Sequence, residues 1–345
     1  IAFHPSDPQK VLLATDYGLF RSTDGGLSFA VTDGITSHMY DVYFHTTDPE
    51  RVIAIRVQSG VIDCMRSNDA GVTFESGFAG VTPVNTSGAR MSLTADDPER
   101  VYVVALGTLP SVTAPHVYRS DDGGISWELM CIGIESGLTG DDSSPLGMSN
   151  GQGFYDLDIV ANPLNADEVI VASTTAYRST NGGSSFLRLG GYGGSFNIHP
   201  DIQEMIAIDG DTWITTDGGV NYSTDFFAST ANYESRTNGI FGTDFWGFSQ
   251  GWNADYMAGG RYHNGNTSLS DQYPEGASIR LGGGEAGTGY AMAGREGYFA
   301  FSDIGNFQVP LSFDGPRKYF AFGMYPNEDG YGFDASDVEF LPYCY

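Results

Sequence analysis

The sequence predicts an all-β fold assembled from repeated four-stranded antiparallel units, and three features of its 345 residues predict it. Apolar runs are short, as in Val11-Leu12-Leu13-Ala14 and Val101-Tyr102-Val103-Val104-Ala105, and are bounded by Gly, Pro, Asp and Ser. None follows the helical period. The 47 glycines supply many tight turns. A short motif returns along the first two-thirds of the chain, the mark of a repeat architecture.

Each unit opens on a strand that runs into a proline turn: His4-Pro5-Ser6-Asp7-Pro8, Thr47-Asp48-Pro49-Glu50-Arg51, Asp96-Asp97-Pro98-Glu99-Arg100, Ala161-Asn162-Pro163 and His199-Pro200-Asp201. His4 and His199 therefore read as turn residues. An apolar second strand follows, such as Val52-Ile53-Ala54-Ile55 or Val169-Ile170-Val171-Ala172. The third strand ends on the recurrent motif. Arg21-Ser22-Thr23-Asp24-Gly25-Gly26-Leu27-Ser28-Phe29 is echoed at Arg66–Phe74 around Asp69 and at Arg119–Trp127 around Asp122. A fourth copy, Arg178–Phe186, carries Asn181 in place of the aspartate, and a fifth, Thr215-Thr216-Asp217-Gly218-Gly219-Val220-Asn221-Tyr222, lacks the Arg-Ser start. Glycine supplies the positive φ of a tight connection, and the carboxylate and the serine hydroxyl cap its N–H groups. Phe29, Phe74, Trp127, Phe186 and Tyr222 share one position, where a ring can wedge between neighbouring sheets. Asp24, Asp69, Asp122, Asn181 and Asp217 are thus expected to be structural.

The form Ser-x-Asp-x-Gly-x-(Ser/Thr)-(Phe/Trp) resembles the Asp-box, or BNR, repeat, in a version like that of sortilin-type receptors and secreted Bacteroidota-type surface proteins. The resemblance implies a β-propeller of four-stranded blades, with the boxes at the blade periphery, and a secreted or cell-surface location. Five box-bearing blades are expected in residues 1–227 and two or three divergent ones in 228–345. Because ring closure removes exposed sheet edges, seven or eight blades in a single domain spanning 1–345 are expected. The chain starts inside a repeat and without Met, so a fragment of a larger protein is also expected.

With 43 acidic against 16 basic residues, the formal charge is −27 and the pI about 4.2. That balance argues against nucleic acid and anionic membranes as partners, since both demand a basic footprint. No apolar run reaches the length of a membrane span. Cys64, Cys131 and Cys344 show no CxxC spacing, so a zinc or redox site has little support, and an odd count leaves at least one thiol unpaired.

For function, the segment Thr243–Asn253 concentrates aromatic residues among glycines. Trp246, Phe248 and Trp252, with Arg261 and Tyr262 nearby, are the expected binding residues for an extracellular protein or glycan, the competing reading being rings that fill the inter-blade core. Residues 240–305 also resemble the tail region of the Bacteroidota-type surface proteins. Sialidase chemistry, one activity within the resembled superfamily, needs three arginines on a carboxylate. Arg21, Arg66, Arg119 and Arg178 belong to boxes, the early Arg-Ile-Pro signature is missing, and Arg261, Arg280 and Arg295 are an unsupported triad. A glycosidase needs two carboxylates across a cleft. Asp41 and Asp156, in the similar contexts Met39-Tyr40-Asp41-Val42 and Phe154-Tyr155-Asp156-Leu157, are the candidates by similarity to xyloglucan-degrading propellers. No cofactor is expected. Asp209 and Asp211, or Asn327-Glu328-Asp329-Gly330, offer clustered oxygens to calcium, though neither matches the EF-hand spacing. The favoured function is an extracellular or cell-surface binding scaffold without covalent chemistry; the alternatives are a polysaccharide hydrolase and a structural repeat of a large surface assembly.

Overall fold

A computed structural model describes residues 1–77, 86–109, 112–133, 152–153, 155–240, 245–250, 255–261, 265–281, 288–291, 298–302, 305–309, 313–314 and 318–320. The chain falls into two compact units, Ile1–Ile240 and Phe241–Tyr345. Among the described residues the first unit holds five four-stranded antiparallel sheets and the second holds two, each with its strands in sequence order.

In the first unit the blades are β1–β4 (Ala2–Phe3, Val11–Thr15, Gly18–Ser22, Ala30–Val31) and β5–β8 (Met39–Phe44, Val52–Gln58, Val61–Ser67, Glu75–Ser76). They continue as β9–β12 (Gly88–Leu93, Val101–Leu109, Val112–Ser120, Glu128–Ile132) and β13–β16 (Asp158–Ala161, Val169–Ala172, Ala176–Ser179, Leu187–Gly190). The fifth blade is β17–β20 (Ile202–Ile208, Asp211–Thr216, Gly219–Ser223, Tyr233–Ser235), so it extends past residue 227. The second unit contains β21–β24 (Phe245–Gln250, Tyr256–Arg261, Gly265–Ser270, Ile279–Leu281) and β25–β28 (Thr288–Ala291, Tyr298–Ser302, Gly305–Val309, Lys318–Phe320). The all-β, four-stranded expectation is met.

The core of the first unit lies between blades rather than within one. Successive side chains of a strand point to opposite faces. Val52 and Ala54 therefore pack with Leu12, Leu19 and Val42 on one side of β6, while Ile53 and Ile55 pack with Val101, Val103 and Tyr118 on the other. The alternation repeats: Tyr102 and Val104 face Val169 and Val171, and Ile170 and Ala172 face Ile202 and Ile214. Of the five rings expected to wedge between sheets, Phe74, Trp127 and Phe186 do so, whereas Phe29 is exposed and Tyr222 lies within β19 rather than after a box.

At the end of the third strand of each blade of the first unit the box closes on its own polar atoms. The Ser22 hydroxyl donates to Asp24 Oδ1 at 2.7 Å and accepts the Gly26 N–H at 2.9 Å, while Asp24 accepts the Ser28 N–H at 2.9 Å. Ser67 with Asp69 and Ser120 with Asp122 repeat this geometry. The hydroxyls of Ser28 and Ser22 hold the Asp24 carboxyl down at about 2. In the fourth box the outer bond is reversed: Asn181 Nδ2 donates to Ser185 Oγ at 2.8 Å.

The fifth box is not where the sequence places it. Asp217 lies in the turn between β18 and β19, where it accepts from Gln203 Nε2 at 3.1 Å. Register identifies the true position. Val11, Val52, Val101 and Val169 pair with Ser22, Ser67, Ser120 and Ser179, and in the fifth blade Thr212 pairs with Ser223. Ser223 Oγ donates to Asp225 Oδ1 at 2.8 Å and accepts the Phe227 N–H at 3.0 Å. Phe226 and Phe227 occupy the two glycine positions at φ 55° and 57°. A side chain in the left-handed region costs about 1–2 kcal/mol, which burial of both rings against Phe196 and Ile170 offsets at about 1.5–3 kcal/mol per ring.

Bonds between blades reinforce the packing. Arg51 forms a bidentate pair with Glu99 at 2.6 and 2.8 Å, and Arg100, at the equivalent turn position one blade on, reaches Asp167 at 3.0 Å. Arg21 Nε donates to the Ala70 carbonyl, and Arg119 Nη1 to the Gly182 carbonyl, of the following box.

Two measurements check this assignment. Asp225→Ala is expected to lower the unfolding free energy by about 1–2 kcal/mol, through lost capping bonds, and Asp217→Ala by less than about 0.5 kcal/mol, as for an exposed turn residue; denaturant titration compares them. Ser67→Ala, which removes a buried hydroxyl serving three bonds, is expected to cost about 1–3 kcal/mol.

Candidate functional site

In sheets whose strands run in sequence order, the turns from first to second and from third to fourth strand leave at one end. The proline turns and the boxes occupy that end. The opposite end carries the turns from second to third strand and the segments that enter each new first strand. There, within the first unit, a pocket of about 260 Å³ is walled by Thr15, Asp16, His38, Tyr40, Arg90 and Tyr155, over a floor of Ala14, Met39, Gly88, Gly153 and Leu157. Four successive blades contribute to it. A Cβ at Gly88 would stand 2.8 Å from the Gly153 carbonyl oxygen, so a glycine is needed for these segments to approach.

The polar groups of the pocket are arranged around His38. Its Nδ1 lies 3.1 Å from Asp16 Oδ1, and its ring meets that of Tyr40 edge to face at 4.4 Å. Burial pushes the Tyr40 phenol up, against the opposing pull of the Arg90 guanidinium. Arg90 Nη1 donates to its neighbour's carbonyl, that of Ala89, at 3.1 Å, and among the described residues the guanidinium has no carboxylate within ion-pair distance. Tyr155 is 59% exposed, so its ring face is open to a ligand. Tyrosine rings, an Asp–His pair and a guanidinium make a wall suited to hydrogen bonding and stacking with a polar ligand.

Beneath the pocket the first strands carry a charged layer. Asp41 pairs with Ile55, Arg90 with Val104, Asp158 with Ala172 and Glu204 with Thr215, which is one step of the ladder repeated in four successive blades. Asp41 accepts the N–H of Val42 at 3.0 Å and that of Met91, on the next blade, at 3.1 Å. Asp158 likewise accepts the N–H of Met205 on the next blade at 2.6 Å. Burial lifts the Asp41 carboxyl to about 6 and that of Asp158 to about 7, the latter helped by the charges of Glu204 and Asp41.

Asp156 is not the counterpart of Asp41, as the sequence contexts suggest; Asp158 is. Asp156 lies two residues earlier, fully buried, where Oδ1 accepts the Ser173 hydroxyl at 2.9 Å and burial lifts the carboxyl to about 7. The shared Tyr-Asp dipeptide misleads, because register is set from the turn. Four residues separate Asp41 from His45 and Asp158 from Asn162, and His45 and Asn162 open equivalent turns by donating their N–H groups to Arg51 and Glu168. Counting back from that turn would also have found Arg90, four residues before Thr94.

Of the expected binding residues, Phe248 lies on β21, is 60% exposed, and has its ring 6.3 Å from that of Phe245. Trp246 falls at the register shift between Phe245 and Gly247, and Arg261 ends β22 opposite Phe245; their side chains lie outside the described residues, as do Trp252 and Tyr262 altogether. Arg280 lies on β24, and Arg295, Cys344 and the 327–330 cluster are outside the described residues. Asp209 turns the chain between β17 and β18 at φ 53°, and Asp211 accepts the Tyr222 hydroxyl at 2.5 Å. Among the described residues no three His, Cys, Asp or Glu side chains gather as a metal ligand set. Cys64 and Cys131 are free thiols.

A family model described as BNR/Asp-box repeat matches residues 118–129, the box of the third blade. No curated protein matches the chain. Among solved structures, the chain is similar to a GH74 xyloglucanase from Xanthomonas campestris at 12% identity and TM-score 0.49, covering 92% of this chain and 53% of that one. It is similar to YCF48 from Cyanidioschyzon merolae at 12% identity and TM-score 0.43, covering 90% and 91%, and to the BP39L lectin from Burkholderia pseudomallei at 11% identity and TM-score 0.42, covering 92% and 96%. The chain thus spans about half the length of the xyloglucanase. The protein is an all-β chain of propeller-type blades that carries a BNR/Asp-box repeat.

The charged layer makes stability depend on pH. The native carboxyls of Asp41 and Asp158 titrate at about 6 and about 7, above the ~4 of an unfolded chain. Their contribution is therefore fully present below pH ~4 and is lost as pH rises through 6 to 7. The unfolding free energy is expected to fall between pH 5 and pH 8, and to fall less steeply in Asp158→Asn even if that variant is less stable throughout; denaturant titrations across this range measure both slopes.

Proposed function

We propose that this chain is a binding scaffold, secreted or displayed at a cell surface, that takes an extracellular glycan or protein in the pocket formed by Asp16, His38, Tyr40, Arg90 and Tyr155. The pocket itself carries this reading: four blades converge there, on the face away from the boxes, with an open ring and an arginine not spent on an ion pair. Its volume is below the ~300–1,000 Å³ typical for drug-sized ligands, so it suits one ring or side chain of a larger partner. The acidic surface favours neutral or basic partners over polyanions.

The lifted carboxyls of Asp41 and Asp158 favour a second reading, a polysaccharide hydrolase, because a general acid must hold its proton near neutrality. Against it, both acids are engaged by main-chain N–H groups that tie one blade to the next.

A panel of glycans and extracellular protein extracts, scored for both binding and hydrolysis, separates the readings. Binding without turnover is expected, weakened at least about tenfold, or 1.4 kcal/mol, by Tyr155→Ala or Arg90→Gln. Glycan release that Asp41→Asn abolishes would replace the scaffold reading with the hydrolase. Binding indifferent to both pocket substitutions would remove this pocket from the account.

A further inference from the structure

Of the three Asn-Gly steps of the first unit, Asn150-Gly151 lies outside the described residues, and the other two differ sharply in their surroundings: Asn181-Gly182 in the fourth box and Asn238-Gly239 in the turn after β20. Glycine, having no Cβ, leaves its nitrogen least hindered for attack on the preceding side chain. We propose that Asn238 is a site of spontaneous deamidation in the folded protein, whereas the box holds Asn181 as an amide.

In this reaction the glycine nitrogen gives up its proton to base and attacks Cγ of the asparagine. The new N–Cγ bond closes a five-membered succinimide while the Cγ–Nδ2 bond breaks and, with a proton from solvent, ammonia leaves. Water then opens the ring at either carbonyl and yields aspartate or isoaspartate. Water is the only co-reactant, and no oxidation or reduction takes place.

Asn181 is poorly placed for it. The attacking nitrogen is occupied, because the Gly182 N–H donates to the Asp167 carbonyl at 2.9 Å. The target amide is clamped: Oδ1 accepts from the Ser179 hydroxyl at 2.9 Å and the Ser185 N–H at 3.0 Å, and Nδ2 donates to Ser185 Oγ at 2.8 Å. Ring closure would give up all four bonds. Asn238 is exposed, within a turn closed by a single bond from the Ile240 N–H to the Thr237 carbonyl at 3.0 Å. Among the described residues nothing bonds to its side-chain amide or to the Gly239 N–H, and no atom lies within 4 Å of where a Gly239 Cβ would stand. The turn is free to rearrange toward the succinimide. The product places a new negative charge two residues from Arg236, whose guanidinium sits 3.5 Å over the Tyr222 ring.

Purified chain is incubated at pH 8, one portion native and one in urea, and sampled over time by peptide mass mapping and isoaspartate methyl-acceptance, with Asn238→Gln as the control that assigns the signal. In the native portion the peptide holding Asn238 is expected to convert at least about tenfold faster than that holding Asn181, the ratio that protection by local structure imposes, and in urea the two rates are expected to converge. Equal native rates at both positions would overturn the proposal. So would an Asn238 that converts in urea but stays intact in the native portion.

Discussion

Each inner blade of the first unit buries both faces of its sheet against its two neighbours, and the rest of the structure depends on that constraint. A sheet with one wet face reads as alternating apolar and polar residues; one covered on both sides reads as a continuous apolar run. Val52-Ile53-Ala54-Ile55 and Val169-Ile170-Val171-Ala172 are runs of the second kind, with odd and even residues serving different neighbours. No blade owns its core, so removal of one strand exposes two interfaces. The stacking of units that contact only their neighbours explains why the polar ties concentrate between blades, as in Arg51 with Glu99 and Arg100 with Asp167.

The box solves a different problem, closure of the third strand onto the fourth. A serine hydroxyl and a carboxylate satisfy the N–H groups that the tight connection leaves pointing inward. The serine hydroxyl and the side-chain oxygen of Asp or Asn, not the glycines, are the parts common to all five boxes. The fifth blade keeps Ser223 and Asp225 while two phenylalanines adopt the left-handed backbone and turn their rings into the core. A left-handed residue is tolerated where burial compensates for it.

Acids divide between two kinds of work. Those of the boxes stay ionised because hydroxyl and N–H groups surround them. Those of the first strands are lifted toward neutrality by burial, and they bridge blades by accepting main-chain N–H groups. Arg90 stands at the same step of the ladder and leans instead into the pocket wall. One register position thus supplies both cohesion between blades and a group that a ligand can meet, which is how a repeat scaffold acquires a site without breaking its repeat.

The sequence by itself determined the all-β class, the four-strand grammar, four of the five boxes and three of the five aromatic wedges, because these rest on local chemistry: short apolar runs, proline turns and hydroxyl-carboxylate caps repeat with visible spacing. It also singled out Asp41. What only the tertiary structure decided is everything that depends on register across strands. Asp217 has the right neighbours in sequence but the wrong strand pair, and Asp225 was hidden because Phe226-Phe227 replaces the glycine signature. Asp156 shares a dipeptide with Asp41 yet lies buried two residues off the layer that Asp158 occupies. The pocket of His38, Arg90 and Tyr155 draws on positions more than a hundred residues apart that carry no common motif. A motif read along the chain reports bonds within one hairpin, whereas a site between blades exists only once neighbouring sheets have packed and set which side chains face one another.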